Sequence, residues 1–153
     1  MLTPVRALVR FMESGDRTHL RGAFSTRGVT IVENFAPFIF SGDGVVARWS
    51  AGFLEHAREM SGLRATFGEA KDFGVRGARA YFALPTTWRG RDAGHAFIER
   101  GAWVFVLQRT GPAWRIAAYA WGVTQGGPPH VKSASRASDR ATRMSRSVHR
   151  QAK

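Results

Sequence analysis

The chain has 153 residues, 44% of them hydrophobic, a formal net charge of +12 and no cysteine. That length and apolar share fit one domain with a real core, while the missing cysteines exclude disulfides, thiolate nucleophiles and zinc–thiolate sites together. No apolar run approaches the roughly 20 residues of a membrane span, and Met1 to Arg10 lacks a signal-peptide core and cleavage site, so a soluble, cytoplasmic protein without membrane insertion is expected.

Thr3-Pro4 is a helix-opening pair, and Val5, Leu8, Val9 and Met12 recur at helical spacing until Ser14-Gly15-Asp16, which predicts a first helix over residues 3–13. Asp16 can cap a short second helix reaching Arg21 or Ala23. Val29-Thr30-Ile31-Val32 is a compact β-branched run and reads as the first strand. Pro37, Phe38, Ile39 and Phe40 form an apolar connection to Ser41-Gly42-Asp43-Gly44, which offers a turn and an N-cap, with Asp43 as the cap, for a third helix running to about Met60. On that helix Val46, Trp49, Phe53, His56 and Met60 alternate spacings of three and four, so they form one inward stripe with Arg48, Glu55, Arg58 and Glu59 off it.

From Leu63 the pattern turns to strands. Leu63 to Val75 and Ala78 to Trp88 suit a long hairpin about Arg76-Gly77. Arg89-Gly90-Arg91-Asp92 reads as the next turn, Glu99 to Arg109 as a strand, Thr110-Gly111-Pro112 as another turn, and Trp114 to Gln125 as the last strand. Helices first and strands later give an α+β order. Aromatics on both faces of the closing strands require the sheet to be covered twice. The expectation is a cone-shaped α+β domain over residues 1–125, its N-terminal helices packed on a strongly curved, mixed or antiparallel sheet that encloses a pocket.

Half of the charge lies elsewhere. Residues 126–153 hold seven basic residues against Asp139 alone, and residues 1–125 hold sixteen against ten. Gly126-Gly127-Pro128-Pro129 is a strong stop, and the basic, aromatic-free segment after it is expected to be disordered. Ala134, Ala137, Ala141, Met144 and Val148 would share one side of a helix, so the same segment could instead fold on an acidic partner, an RNA or an anionic lipid surface.

His56 on its apolar stripe can serve as base, acid or polar anchor at neutral pH, although a lone histidine there is more often a core residue bonded to backbone or water. Glu33, Asn34, Asp43, Asp72 and Tyr81 are the groups that could orient it. Phe11, Asn34, Trp49, Phe53, Tyr81, Trp103, Tyr119 and Trp121 are the candidate ligand-binding side chains. Strand alternation separates Tyr119 and Trp121 from Trp114, Ile116 and Ala118, so one set should line the interior and the other meet a partner. Neither metal nor cofactor is expected, because His19, His56, His95, His130 and His149 show no paired ligand spacing and no lysine or dinucleotide-type glycine pattern follows the first strand.

Val29 to Phe35, the Ser41-Gly42-Asp43-Gly44 helix start and Trp114 to Gly122 together resemble SnoaL-like and ketosteroid-isomerase-like proteins of the nuclear transport factor two fold, over roughly residues 3–125. The resemblance implies an internal pocket for a hydrophobic organic molecule and dimerisation through the outer sheet face. The isomerases of that family use an acidic base that here falls on Asn34, just after Val32-Glu33; Glu33 takes its place only if the strand register differs. The family's oxyanion-side acid would lie among Ala102, Trp103, Val104 and Phe105, and the first helix carries Phe11 where a tyrosine donor would stand. Two functions stay open: a pocket protein that binds without turnover, and an isomerase, cyclase or hydratase with His56 or Glu33 as general base.

Overall fold

The computed structural model describes residues 1–128; the basic segment from residue 129 onward, with its expected disorder or induced helix, lies outside the described residues. Helix α1 spans Thr3–Ser14 with proline in its first turn, and its buried stripe is Val5, Leu8, Val9, Phe11 and Met12. The Gly15 N–H closes it on the Phe11 carbonyl at 2.7 Å. Asp16 then caps a single 3₁₀ turn, Arg17–Leu20, by accepting the Thr18 N–H at 2.8 Å.

Strands β1 (Thr30–Val32) and β2 (Ile39–Ser41) form a short hairpin, so the apolar connection after Pro37 is itself a strand. Helix α2 is Val45–His56. It stops short of Met60 because Met60 already pairs with Asp92 in the sheet. Asp43 does not cap it: Gly44 occupies the N-cap and no side chain bonds there. Instead the Arg48 guanidinium reaches back to the carbonyls of Asp43 and Ser41, the latter at 2.6 Å.

The remaining strands are β3 (Met60–Phe67), β4 (Lys71–Arg76), β5 (Arg79–Asp92), β6 (His95–Thr110) and β7 (Ala113–Gly126). The expected strand from Leu63 to Val75 is thus two, both antiparallel to β5. Between Phe67↔Thr86 and Lys71↔Ala83, three residues oppose two, a bulge that the Gly68 N–H ties to the Pro85 carbonyl at 2.8 Å. Arg89 to Asp92 is no turn, since β5 runs straight through it and reverses at Ala93-Gly94. Gly90 is there for packing: a Cβ would stand 2.9 Å from the Leu63 side chain.

The seven-stranded sheet has the order β2-β1-β7-β6-β5-β3, with β4 also on β5; β1 and β7 run parallel and every other pair antiparallel. It is a curved mixed sheet covered on its inner face by α1 and α2. The core joins Val5, Leu8 and Phe11 to Trp49, Phe53, Phe82, Leu84, Trp103, Phe105, Leu107 and Ile116. One helix carboxylate also serves the sheet edge, where Glu13 accepts the Ala65 N–H of β3 at 2.9 Å.

The parity expected on β7 fails at one residue. Val106 pairs with Ala118 but Leu107 pairs with Ile116, so Ala117 is an inserted residue. That bulge puts Ile116, Tyr119 and Trp121 all in the interior, each at most 7% exposed.

Candidate functional site

Alternation along β1 turns Ile31 inward and carries Glu33, the next inward residue, to the floor of a cavity of about 50 Å³. Phe53, His56, Trp88, Phe97, Glu99, Trp103 and Trp121 help to line it. The volume is room for only a few waters, well below the roughly 300–1,000 Å³ usual for drug-sized ligands. Larger hollows of about 270–390 Å³ lie open on the surface. The chemistry converges on the small one.

Glu33 is 4% exposed. Its Oε1 accepts the Trp49 indole N–H from α2 at 3.0 Å and the Tyr119 hydroxyl from β7. Burial pushes its carboxyl up to about 7 from 4.5, against the opposing pull of the Tyr119, Trp49 and Asn34 N–H hydrogen bonds, and the charge of Glu99 pushes the same way as burial. Burial and the neighbouring Glu33 charge likewise hold the Tyr119 phenol well above its usual range.

Glu99 is the residue the sequence reading passed over. It is 8% exposed, lines the same cavity and accepts the Trp121 indole N–H at 3.2 Å. Its signal was available, because Phe97, Glu99, Trp103, Phe105 and Leu107 share one parity on β6. Trp103 is fully buried in the wall, and its indole N–H has no acceptor among the described residues.

Of the other candidates, His56 lines the cavity at its rim, half-buried and stacked on Phe35 with ring centroids 4.7 Å apart. It also borders a surface hollow with Glu55, Arg58 and Glu59, so it separates cavity from solvent. Of the side chains expected to bind a ligand, Asn34, Phe53, Trp103 and Trp121 line the cavity. Phe11 and Trp49 lie behind it, packed together with centroids 5.4 Å apart, and Tyr119 stands behind Glu33. Tyr81, 39% exposed, points to the opposite face of the sheet from buried Ala80 and Phe82. Asp43 and Asp72 are exposed and absent from the cavity wall, so neither is placed to orient His56. Among the described residues no three His, Asp or Glu side chains come together as a metal cluster, and no helix is long and apolar enough to cross a membrane.

No family model matches the chain, and no curated protein matches it. Solved structures do. The hexachlorocyclohexane dehydrochlorinase LinA-type3 from Novosphingobium barchaimii superposes with a TM-score of 0.64 at 6% identity, over 82% of this chain and 84% of that one. A ketosteroid isomerase-like protein from Erwinia carotovora gives 0.62 at 11% identity, over 80% and 92%. An NTF2-like protein of unknown function in nutrient uptake from Rhodospirillum rubrum gives 0.59 at 18% identity, over 80% and 96%. With two helices laid on one face of a curved mixed sheet and a cavity between them, the chain has the nuclear transport factor two-like fold.

Proposed function

We propose that this protein is a small-molecule pocket protein in which Glu33 exchanges a proton with the bound ligand, the chemistry of an isomerase, cyclase or hydratase. The observation that supports this is a buried carboxylate, raised to about 7 and opening onto a largely apolar cavity. A general base works best with a pKa near the operating pH. In the simplest case Glu33 takes a proton from a carbon next to a carbonyl, the electron pair moves to the carbonyl oxygen, and the proton returns at another carbon. Trp103, whose N–H has no acceptor among the described residues, stands in the wall as the proposed donor to that oxygen. Glu99 in the wall and His56 at the rim are the further titratable groups.

The test is hydrogen–deuterium exchange of a panel of small carbonyl compounds, amino ketones included, followed by NMR in D₂O. Exchange above the buffer rate that Glu33→Gln abolishes supports the reading; exchange untouched by Glu33→Gln ends it.

Binding without turnover is the second reading. It is favoured by the two hydrogen bonds on Glu33 Oε1, which join α2 and β7 through β1 and would justify a buried carboxylate on structural grounds alone.

The proposed working form is a cytoplasmic homodimer. On the outer face Ala83, Val104, Ala120, Val32 and Ile39 align in register across five strands without a charge, with Tyr81 beside them, and such a face suits a second copy. The basic residues of 126–153 are proposed to recruit an acidic partner; that binding should weaken with salt and disappear on removal of the segment.

A further inference from the structure

The walls and the charge of the cavity together point to a ligand class. Three indoles stand around it: Trp88 and Trp121 each meet Trp103 edge-on, at interplanar angles of 70° and 74° with centroids 6.1 and 5.5 Å apart. Phe35, Phe53 and Phe97 add to the lining. Of the chain's 23 lysines and arginines, none of those among the described residues lines the cavity. Its carboxylates are Glu33 and Glu99, and each is already anchored by a tryptophan N–H. A strongly basic protein has therefore kept one interior space acidic and aromatic.

We infer that the cavity binds a small alkylammonium bearing an oxygen acceptor, an amino alcohol of about the size of ethanolamine. Aromatic faces attract such cations through their ring quadrupoles, and a monovalent cation relieves the repulsion between two buried carboxylates. Trp103 supplies the remaining contact, since its fully buried N–H has no acceptor among the described residues and a ligand oxygen would provide one. The inference rests on the cavity being the ligand site and adds the class of molecule. Its bearing on Glu33 is direct, because a neighbouring ammonium favours the carboxylate form that a base requires.

The exit of β7 sets the size limit. The Gly127 N–H bonds to the Ile98 carbonyl at 3.1 Å, and the chain passes so near Glu99 that a Cβ on Gly127 would stand 2.9 Å from its Oε2. Gly127 has φ 109°, a conformation that favours glycine. The next residue, Pro128, is buried in the cavity wall. A proline contributes no N–H there, so the strap closes the site with an apolar cover and leaves its polarity to Glu33, Glu99 and Trp103.

The experiment is titration of the full chain with ethanolamine, read by tryptophan fluorescence and calorimetry beside the neutral isostere 1-propanol. Ethanolamine should bind tenfold or more tightly than 1-propanol, and Glu99→Gln, which preserves an acceptor for Trp121, should remove most of that preference while circular dichroism stays unchanged. Equal binding of ethanolamine and 1-propanol, or no binding of ethanolamine, overturns the inference. Deuterium exchange that persists in such a case would leave the proton-transfer reading standing, whereas tight ammonium binding without Glu33-dependent exchange would defeat that reading alone.

Discussion

The Tyr119 hydroxyl on β7 donates to the Glu33 carboxylate, two residues beyond the point where Ile31 pairs with Tyr119 in the parallel ladder. This bond lowers the pKa that burial raises. Tyr119→Phe should therefore move the Glu33 midpoint above about 7, seen by carbon NMR of the labelled carboxyl, and cost roughly 1–3 kcal/mol of stability in denaturant. A midpoint that falls would mean the hydroxyl does not stabilise the carboxylate.

Glu33 also fixes a pH dependence. Its native pKa of about 7 lies above the ordinary 4.5, so between these values the native state holds a proton that the unfolded chain has released. Its contribution is complete below pH 4.5 and is lost as pH rises through 7, a fall on the order of 3 kcal/mol. Glu33→Gln should flatten that part of the stability curve. An unchanged slope in the variant would assign the dependence to another group.

Much of this architecture could be read from residue order. The 3–4 spacing of α1 and of Trp49, Phe53 and His56 placed both helices, since an apolar stripe has only one way to be buried. Local turn chemistry was less reliable. Arg89-Gly90-Arg91-Asp92 looks like a turn, but Gly90 answers to Leu63 on another strand. Ala117 gives no local sign of being a bulge, yet it decides that Ile116 and Tyr119 share a face. For Glu33 the question of register needed coordinates, while Glu99 could have been placed inside by its parity with Trp103. A lone acid at the start of an apolar strand looks like a solvent-facing end until its hydrogen bond from the Trp121 indole is known.

The start of α2 offers a comparison of two side chains. Arg48 binds the Ser41 and Asp43 carbonyls, whereas the Asp43 side chain makes no cap. Arg48→Ala should lower stability by roughly 0.5–1.5 kcal/mol, and Asp43→Ala should leave the denaturation midpoint within error. The reverse ranking would restore Asp43 as the cap.

Val104 lies mid-row on the outer face, between Ala83 and Ala120. If that face joins two copies, Val104→Arg should halve the mass measured by light scattering without changing the circular dichroism. A wild-type chain that is already monomeric at high concentration would remove the sheet-mediated dimer.

Strand β3 exposes one flank of the sheet, and a bare flank invites a stranger's backbone to continue the ladder. Glu13 answers that hazard at Ala65 by occupying an amide that an incoming strand would need. Growth of fibrils or swapped assemblies along this side must first evict a helix carboxylate, so the first helix acts as a guard against polymerisation as well as a cover for the core.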